Sequence, residues 1–221
     1  MNLKSKQLTA LVTAGPTQEK IDPVRFISNY SSGKQGYAIA EALAKHLVKV
    51  HLVSGPTCLM PPKNVDFTYV ETASQMLSSC EQLLPVDIAI FVAAVADFRP
   101  KIISSQKIKK TSADEISITL CKNPDILKTI SMHQTKRPKL VIGFAAETEN
   151  LLENAKTKLE SKQCDWIIAN NVHTDKFAKS AFKNDYNEIY IITKHSIEHF
   201  PYMDKKSIAE KLAQKIVTYL K

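Results

Sequence analysis

Apolar runs of strand length alternate along this chain with stretches in which apolar positions recur every three or four residues, the pattern of a mostly parallel sheet covered by helices on both faces. The strand-length runs are LTALVTA from Leu8, VKVHLVS from Val48, VDFTYVE from Val65, VDIAIFVAAVA from Val86, KLVIGFAAE from Lys139 and DWIIANNV from Asp165. Most are continuously apolar, as strands buried on both faces are. Tyr37, Ala40, Leu43 and Leu47 form one helical stripe, and Ala209, Leu212, Ala213, Ile216 and Leu220 form another. The predicted fold class is α/β, a doubly wound sheet. Two stretches read as antiparallel instead: ISITLCK from Ile116, and NEIYIITK from Asn187, which passes through His195 and Ser196 into IEHFP like a hairpin. No repeat, low-complexity tract or Pro/Gly-rich linker divides the chain, so residues 1–221 are read as a single domain.

A length of 221 residues is enough to bury a substantial core. The first residues are too polar for a secretory signal, and no apolar run approaches the ~20 residues that span a bilayer, so a cytoplasmic location away from membranes is expected. Cys58, Cys80, Cys121 and Cys164 include no CxxC pair and are expected to be buried thiols. The net charge of +8 favours an anionic partner. No helix-turn-helix, zinc-finger or RNP-type signal converts that charge into nucleic-acid recognition, and none is expected.

The densest chemistry lies in TAGPTQEKIDPVRFISNYSSGKQG, between the first strand and the first long helix, where ligands bind in doubly wound sheets. Gly15, Gly33 and Gly36 permit tight turns, and Ser31, Ser32 and the amides of a helix start suit a phosphate. Glycine and serine there are also ordinary capping residues, and spacing alone leaves both readings standing. GxxxxGK[ST] and GxGxxG are both absent, which argues against a P-loop ATPase and a nicotinamide-dependent dehydrogenase. In AAVADFRP, small residues let a ring or ribose lie against the backbone and Asp97 could accept from hydroxyls or help hold magnesium, although such residues also pack helices and cap turns. Lys107, Lys109 and Lys110 of KIKK concentrate charge that suits a triphosphate or a solvated loop. Lys158 and Lys162 share a helix face, where like charges repel by about 0.2–0.5 kcal/mol, while the helix dipole favours lysines near its C-terminus.

In order, TAGPTQE, IDPVRFISNYSSGKQG, AAVADFRP, KIKK, KNPDIL, GFAAET and the KLESK ahead of CDWIIANN resemble the phosphopantothenoylcysteine synthetases of the bacterial, CTP-dependent kind, from about Thr9 to Val172. Pro16 stands where many members have a second glycine, and Gln18 where an arginine is frequent. The resemblance implies a Rossmann-like fold and a ligase of coenzyme A biosynthesis. Such an enzyme joins 4′-phosphopantothenate to L-cysteine through an acyl-cytidylate, with CTP as co-substrate, Mg2+ as cofactor and its metal ligands unassigned. It implies that Asn29 binds the acyl-phosphate region, that Ser31, Ser32 and Gly33 belong with it to the substrate-binding residues, and that Arg25 orders that loop or the substrate. Lys107 would lie on the triphosphate. Ala93, Asp97, Asn123, Pro124, Asp125, Ile126, Phe144, Lys158 and Lys162 would surround the nucleotide. It further implies a homodimer, with an antiparallel extension at about residues 102–121. The synthetase motifs begin so early that no flavin decarboxylase domain and no FMN are expected in this chain; a separate decarboxylase is a candidate partner.

Overall fold

The computed structural model describes residues 7–109, 115–171 and 185–221. Its strands are β1 (Thr9–Ala14), β2 (Gln18–Lys20), β3 (Phe26–Ser28), β4 (Lys49–Ser54), β5 (Val65–Tyr69), β6 (Ile88–Phe91), β7 (Phe98–Pro100), β8 (Leu120–Lys122), β9 (Leu140–Glu147), β10 (Trp166–Asn171), β11 (Tyr186–Thr193) and β12 (Ile197–Asp204). The helices are α1 (Lys34–Lys45), α2 (Ala73–Gln82), α3 (Ile126–Ser131), α4 (Leu151–Lys162) and α5 (Lys205–Leu220). Eight strands form one sheet in the order β12-β11-β10-β9-β6-β1-β4-β5. From β10 to β5 every pairing is parallel, and β11 and β12 add an antiparallel edge, as the hairpin pattern predicts.

The continuous apolar runs are explained by two cores, one on each face. Along β1, Ala10, Val12 and Ala14 enter the core shared with α1 and α5, while Leu11 enters the core shared with α2, α3 and α4. Successive side chains of a strand point to opposite faces, so a strand covered on both sides has no polar period.

Four expectations are corrected. Leu47 does not continue the α1 stripe: the helix stops at Lys45, Leu47 has φ 63° and is exposed, and Val48 N donates to Leu43 O at 3.1 Å, a Schellman-type stop built without glycine. The run from Val86 is a strand only to Phe91, because the following small residues leave the ladder for the loop after β1: Ala94 N donates to Gly15 O at 2.9 Å and Ala96 N to Thr17 Oγ1 at 3.0 Å. Of ISITLCK only Leu120–Lys122 forms a strand, and its antiparallel partner is Phe98–Pro100, ahead of the expected extension. Lys110, within that extension, lies outside the described residues, as does Val172. Finally, Cys80 and Cys164 are buried, with thiols pushed up to about 12 by desolvation, but Cys58 is exposed and Cys121 half-buried on the small β7–β8 ladder.

Candidate functional site

The carboxyl ends of β1, β6, β9 and β10 open into a cleft of about 930 Å³. Its floor is the turn after β1. Gly15 (φ 70°) and Gly33 (φ 74°) both adopt the left-handed conformation that costs glycine nothing. Gly33 is the N-cap of α1, and no side chain caps that helix; Ser31 Oγ instead accepts from Gly33 N at 3.2 Å. Ordinary serine capping is thereby removed as the explanation of SSG, and the first-turn amides of α1 are left to the cleft.

Asn29 is fixed across the cleft mouth by its Nδ2, which donates to Val95 O at 3.0 Å. The AAVAD segment is also tied to the loop before α3. Asn123 N donates to Asp97 O at 2.9 Å, Asn123 Nδ2 to Ala96 O at 2.8 Å, and Arg99 Nη1 to Asn123 Oδ1 at 3.2 Å. The Asn123 amide therefore joins two cleft walls. Pro124 leads into Asp125, whose Oδ1 caps α3 by accepting from Lys128 N at 3.0 Å and whose Oδ2 pairs with Lys162. Lys158 pairs with Glu147 Oε1 at 2.7 Å. Each of the two lysines on the α4 face thus meets a carboxylate from a different element, which offsets their mutual repulsion. Phe144 on β9, with Ala93 and Ile126, supplies apolar wall, and Asp97 is an exposed carboxylate in the cleft.

Every site residue inferred from the sequence lines this one cleft except Arg25 and Lys107. The Arg25 guanidinium donates to Asp22 Oδ2 and to Ile108 O at 3.0 Å, and Ile108 N donates to the same Asp22 oxygen at 3.1 Å. Asp22 Oδ1 accepts from the amides of Val24 and Arg25. With Arg25 beside it, the buried Asp22 carboxyl is held well below the usual carboxylate range. Arg25 and Asp22 thus tie this loop to Ile108, and Lys107 is an exposed residue beside that junction. Asp22 escaped the sequence reading, although an aspartate two and three residues before its amide donors, followed by proline, is a recognisable Asx-turn signal. Lys34, Gln35 and Lys205 also line the cleft and also escaped.

Among the described residues no group of three or more His, Cys, Asp or Glu could hold a metal ion. Magnesium delivered with a nucleotide needs only one or two carboxylates, the rest of its shell being phosphate and water, and Asp97 fits that requirement. No helix among the described residues is long and apolar enough to cross a membrane.

Residues 5–220 match the family model described as DNA/pantothenate metabolism flavoprotein C-terminal domain, and the chain belongs to that family. It is 45% identical over 211 residues to the coenzyme A biosynthesis bifunctional protein CoaBC of Haemophilus influenzae, covering 95% of this chain and 51% of that protein. The chain therefore spans about half the length of the curated relatives it matches. Among solved structures it is similar to the crystal structure of the C-terminal domain of CoaBC, with 40% identity, a TM-score of 0.79 and coverage of 96% of this chain and 95% of that one. A Cab2 mutant in complex with phosphopantothenate-cysteine has the same fold, with a TM-score of 0.74 at 16% identity over 96% of this chain and 88% of that one.

Proposed function

We propose that this member of the family joins 4′-phosphopantothenate to L-cysteine at the expense of CTP, releasing CMP and pyrophosphate. The observation that carries the reading is the convergence of Asn29, the SSG turn, Ala93, Asp97, the Asn123–Ile126 turn, Phe144, Lys158 and Lys162, distant in sequence, on one cleft at the carboxyl ends of a parallel sheet. A carboxylate is a poor acyl donor until its oxygen carries a good leaving group. Its attack on the α-phosphorus supplies one, and the cysteine amine then displaces the nucleotide. The amides at the start of α1 and the lysines of α4 favour the anionic groups, while the Asn29 amide, oriented by its bond to Val95 O, holds the acyl-phosphate. Magnesium held by Asp97 and the phosphates would offset charge on the departing oxygens.

The test is pyrophosphate release with CTP, magnesium and 4′-phosphopantothenate, with and without cysteine. Release that needs the pantothenate derivative, and amide product only when cysteine is added, is expected; NADH stabilisation without nucleotide turnover overturns the reading. CTP is expected to outpace ATP, and equal or faster turnover with ATP at matched concentration removes the cytidine assignment.

We further propose a homodimer in the cytoplasm, paired through the β7–β8 ladder and the segments beside it. Phe98, Ile102, Ile103, Ile116 and Leu120 are all exposed there, and an apolar antiparallel edge invites a partner. Light scattering at micromolar concentration is expected to give twice the chain mass, and a fully active monomer overturns the pairing.

A further inference from the structure

Asn29 is exposed and directly follows β3, a three-residue strand laddered to the equally short β2. A two-stranded ladder of that length is marginal by itself, so the position of the amide has to be set from elsewhere. Thr17 is fully buried and uses three polar groups there. Its N–H donates to Ala94 O at 3.4 Å, its Oγ1 accepts from Ala96 N at 3.0 Å, and its carbonyl accepts from Ser28 Oγ at 2.7 Å. Val95, between Ala94 and Ala96, supplies the oxygen that holds Asn29 Nδ2, and Ser28 immediately precedes Asn29. Thr17 therefore braces both partners of the Asn29–Val95 bond, and the bonds close into a ring through Thr17, Ser28, Asn29, Val95 and Ala96. A side chain is used because the parallel ladder of β1 and β6 ends at Phe91. Beyond it Pro16 and Ala94 form a single bridge, and the buried Ala96 N–H is taken by a hydroxyl. Neighbouring contacts have anchors of their own. Glu19 Oε1 accepts from Ala73 N at 2.9 Å and Asp22 closes the hairpin turn, while Asn123 holds Ala96 O and Asp97 O. Loss of the Thr17 hydroxyl thus frees Val95 and the amide bonded to it, and leaves the hairpin and the Asp97 end of the wall in place.

We infer, resting on the ligase reading, that Thr17 is a positioning residue for the acyl-phosphate step: its hydroxyl and carbonyl together hold the Asn29 amide in register with the opposite wall of the cleft. Thr17 touches no substrate itself and acts through Ser28 and Val95. A reacting group displaced by about 1 Å loses up to a hundredfold in rate, whereas a threonine kept only to fill space is replaced by the isosteric valine without effect on the chemistry.

The test compares the full chain with Thr17→Val, Thr17→Ser and Ser28→Ala. Pyrophosphate release from CTP with saturating 4′-phosphopantothenate and no cysteine is followed by rapid quench below the melting temperature of each protein, beside calorimetric CTP affinity. Thr17→Val is expected to release pyrophosphate about tenfold more slowly while binding CTP within about twofold of the parent. Thr17→Ser keeps the hydroxyl and is expected to recover the rate to within about twofold, although the missing methyl group lowers its melting temperature. Ser28→Ala breaks the same ring at an exposed side chain, so it folds whatever becomes of Thr17→Val, and a loss of about threefold in rate is expected. Parental release by folded Thr17→Val and Ser28→Ala overturns the assignment, as does Thr17→Ser being as slow as Thr17→Val. If Thr17→Val does not fold, parental release by Ser28→Ala alone overturns it. A parent that releases no pyrophosphate sinks the ligase reading itself, whereas an active parent beside unaffected variants sinks only the role of Thr17.

Discussion

Gly55→Ala is expected to destabilise the fold strongly. A methyl group at Gly55 would lie 1.6 Å from Pro16 O and 2.8 Å from Pro16 C, both backbone atoms. The turn after β1 and the turn after β4 cross in direct contact, and Gly55 N donates to Ala14 O at 3.0 Å. Pro16 cannot retreat alone. Thr17 N is bonded to Ala94 O, and Thr17 Oγ1 accepts from Ala96 N, so moving Pro16 drags the cleft wall with it. Overpacking of this kind costs on the order of 3 kcal/mol or more, a large share of a typical domain stability of ~5–15 kcal/mol. Gly33→Ala is a useful contrast. Its methyl would meet Thr57 Cγ2 at 2.7 Å, a side-chain atom that can turn away, which leaves mainly the left-handed backbone at about 1–2 kcal/mol. Denaturant midpoints should therefore fall in the order parent, Gly33→Ala, Gly55→Ala. A Gly55→Ala midpoint equal to that of the parent would show that the two turns do not touch as described.

Why Gly55 went unnoticed while Gly15, Gly33 and Gly36 did not says how far a sequence can be read here. Those three lie within one motif between a strand and a helix, and local pattern exposes them. The need for glycine at 55 exists only because β1 and β4 are neighbours in the sheet, a tertiary fact. Most of the parallel strands were legible because they are continuous apolar runs, and the β11–β12 hairpin because its two runs flank a polar tip. Among the helices, α3 has only six residues, too few to show a period, although Asp125 marks its start. The cap of α2 was legible in principle: Thr72 and Gln75 form a capping box, and Ala73, Met76 and Cys80 are its buried face. Lys34 and Lys205 meet only because α1 and α5 begin side by side, and no spacing along the chain announces that.

Lys107→Gln is expected to slow pyrophosphate release about a hundredfold, the usual consequence of removing a preorganised cation worth roughly 3 kcal/mol in the transition state. The placement of Lys107 makes the prediction sharper. It does not line the cleft of its own chain, while Ile108 beside it is bonded to Asp22 and Arg25, which fixes the segment close to exposed Val24 and Phe26. In a dimer paired near these exposed residues, Lys107 is expected to reach the triphosphate in the cleft of the second copy. Mixing Lys107→Gln chains with Asn29→Ala chains separates the two arrangements. If Lys107 acts across the interface, each mixed dimer joins an intact cleft to an intact Lys107 at one of its two sites, and random pairing restores about a quarter of the parental activity. If it acts within its own chain, every site of a mixed dimer carries one of the two lesions and nothing is restored. Asn29→Ala alone should leave CTP affinity near that of the parent and impair formation or use of the mixed anhydride, since its amide is proposed to hold the acyl-phosphate and not the base. Rapid-quench measurement of pyrophosphate without cysteine, beside amide formed with it, reads both effects. Parental pyrophosphate release by Lys107→Gln would remove that lysine from the chemistry, and unchanged rates of both steps in Asn29→Ala would remove the asparagine.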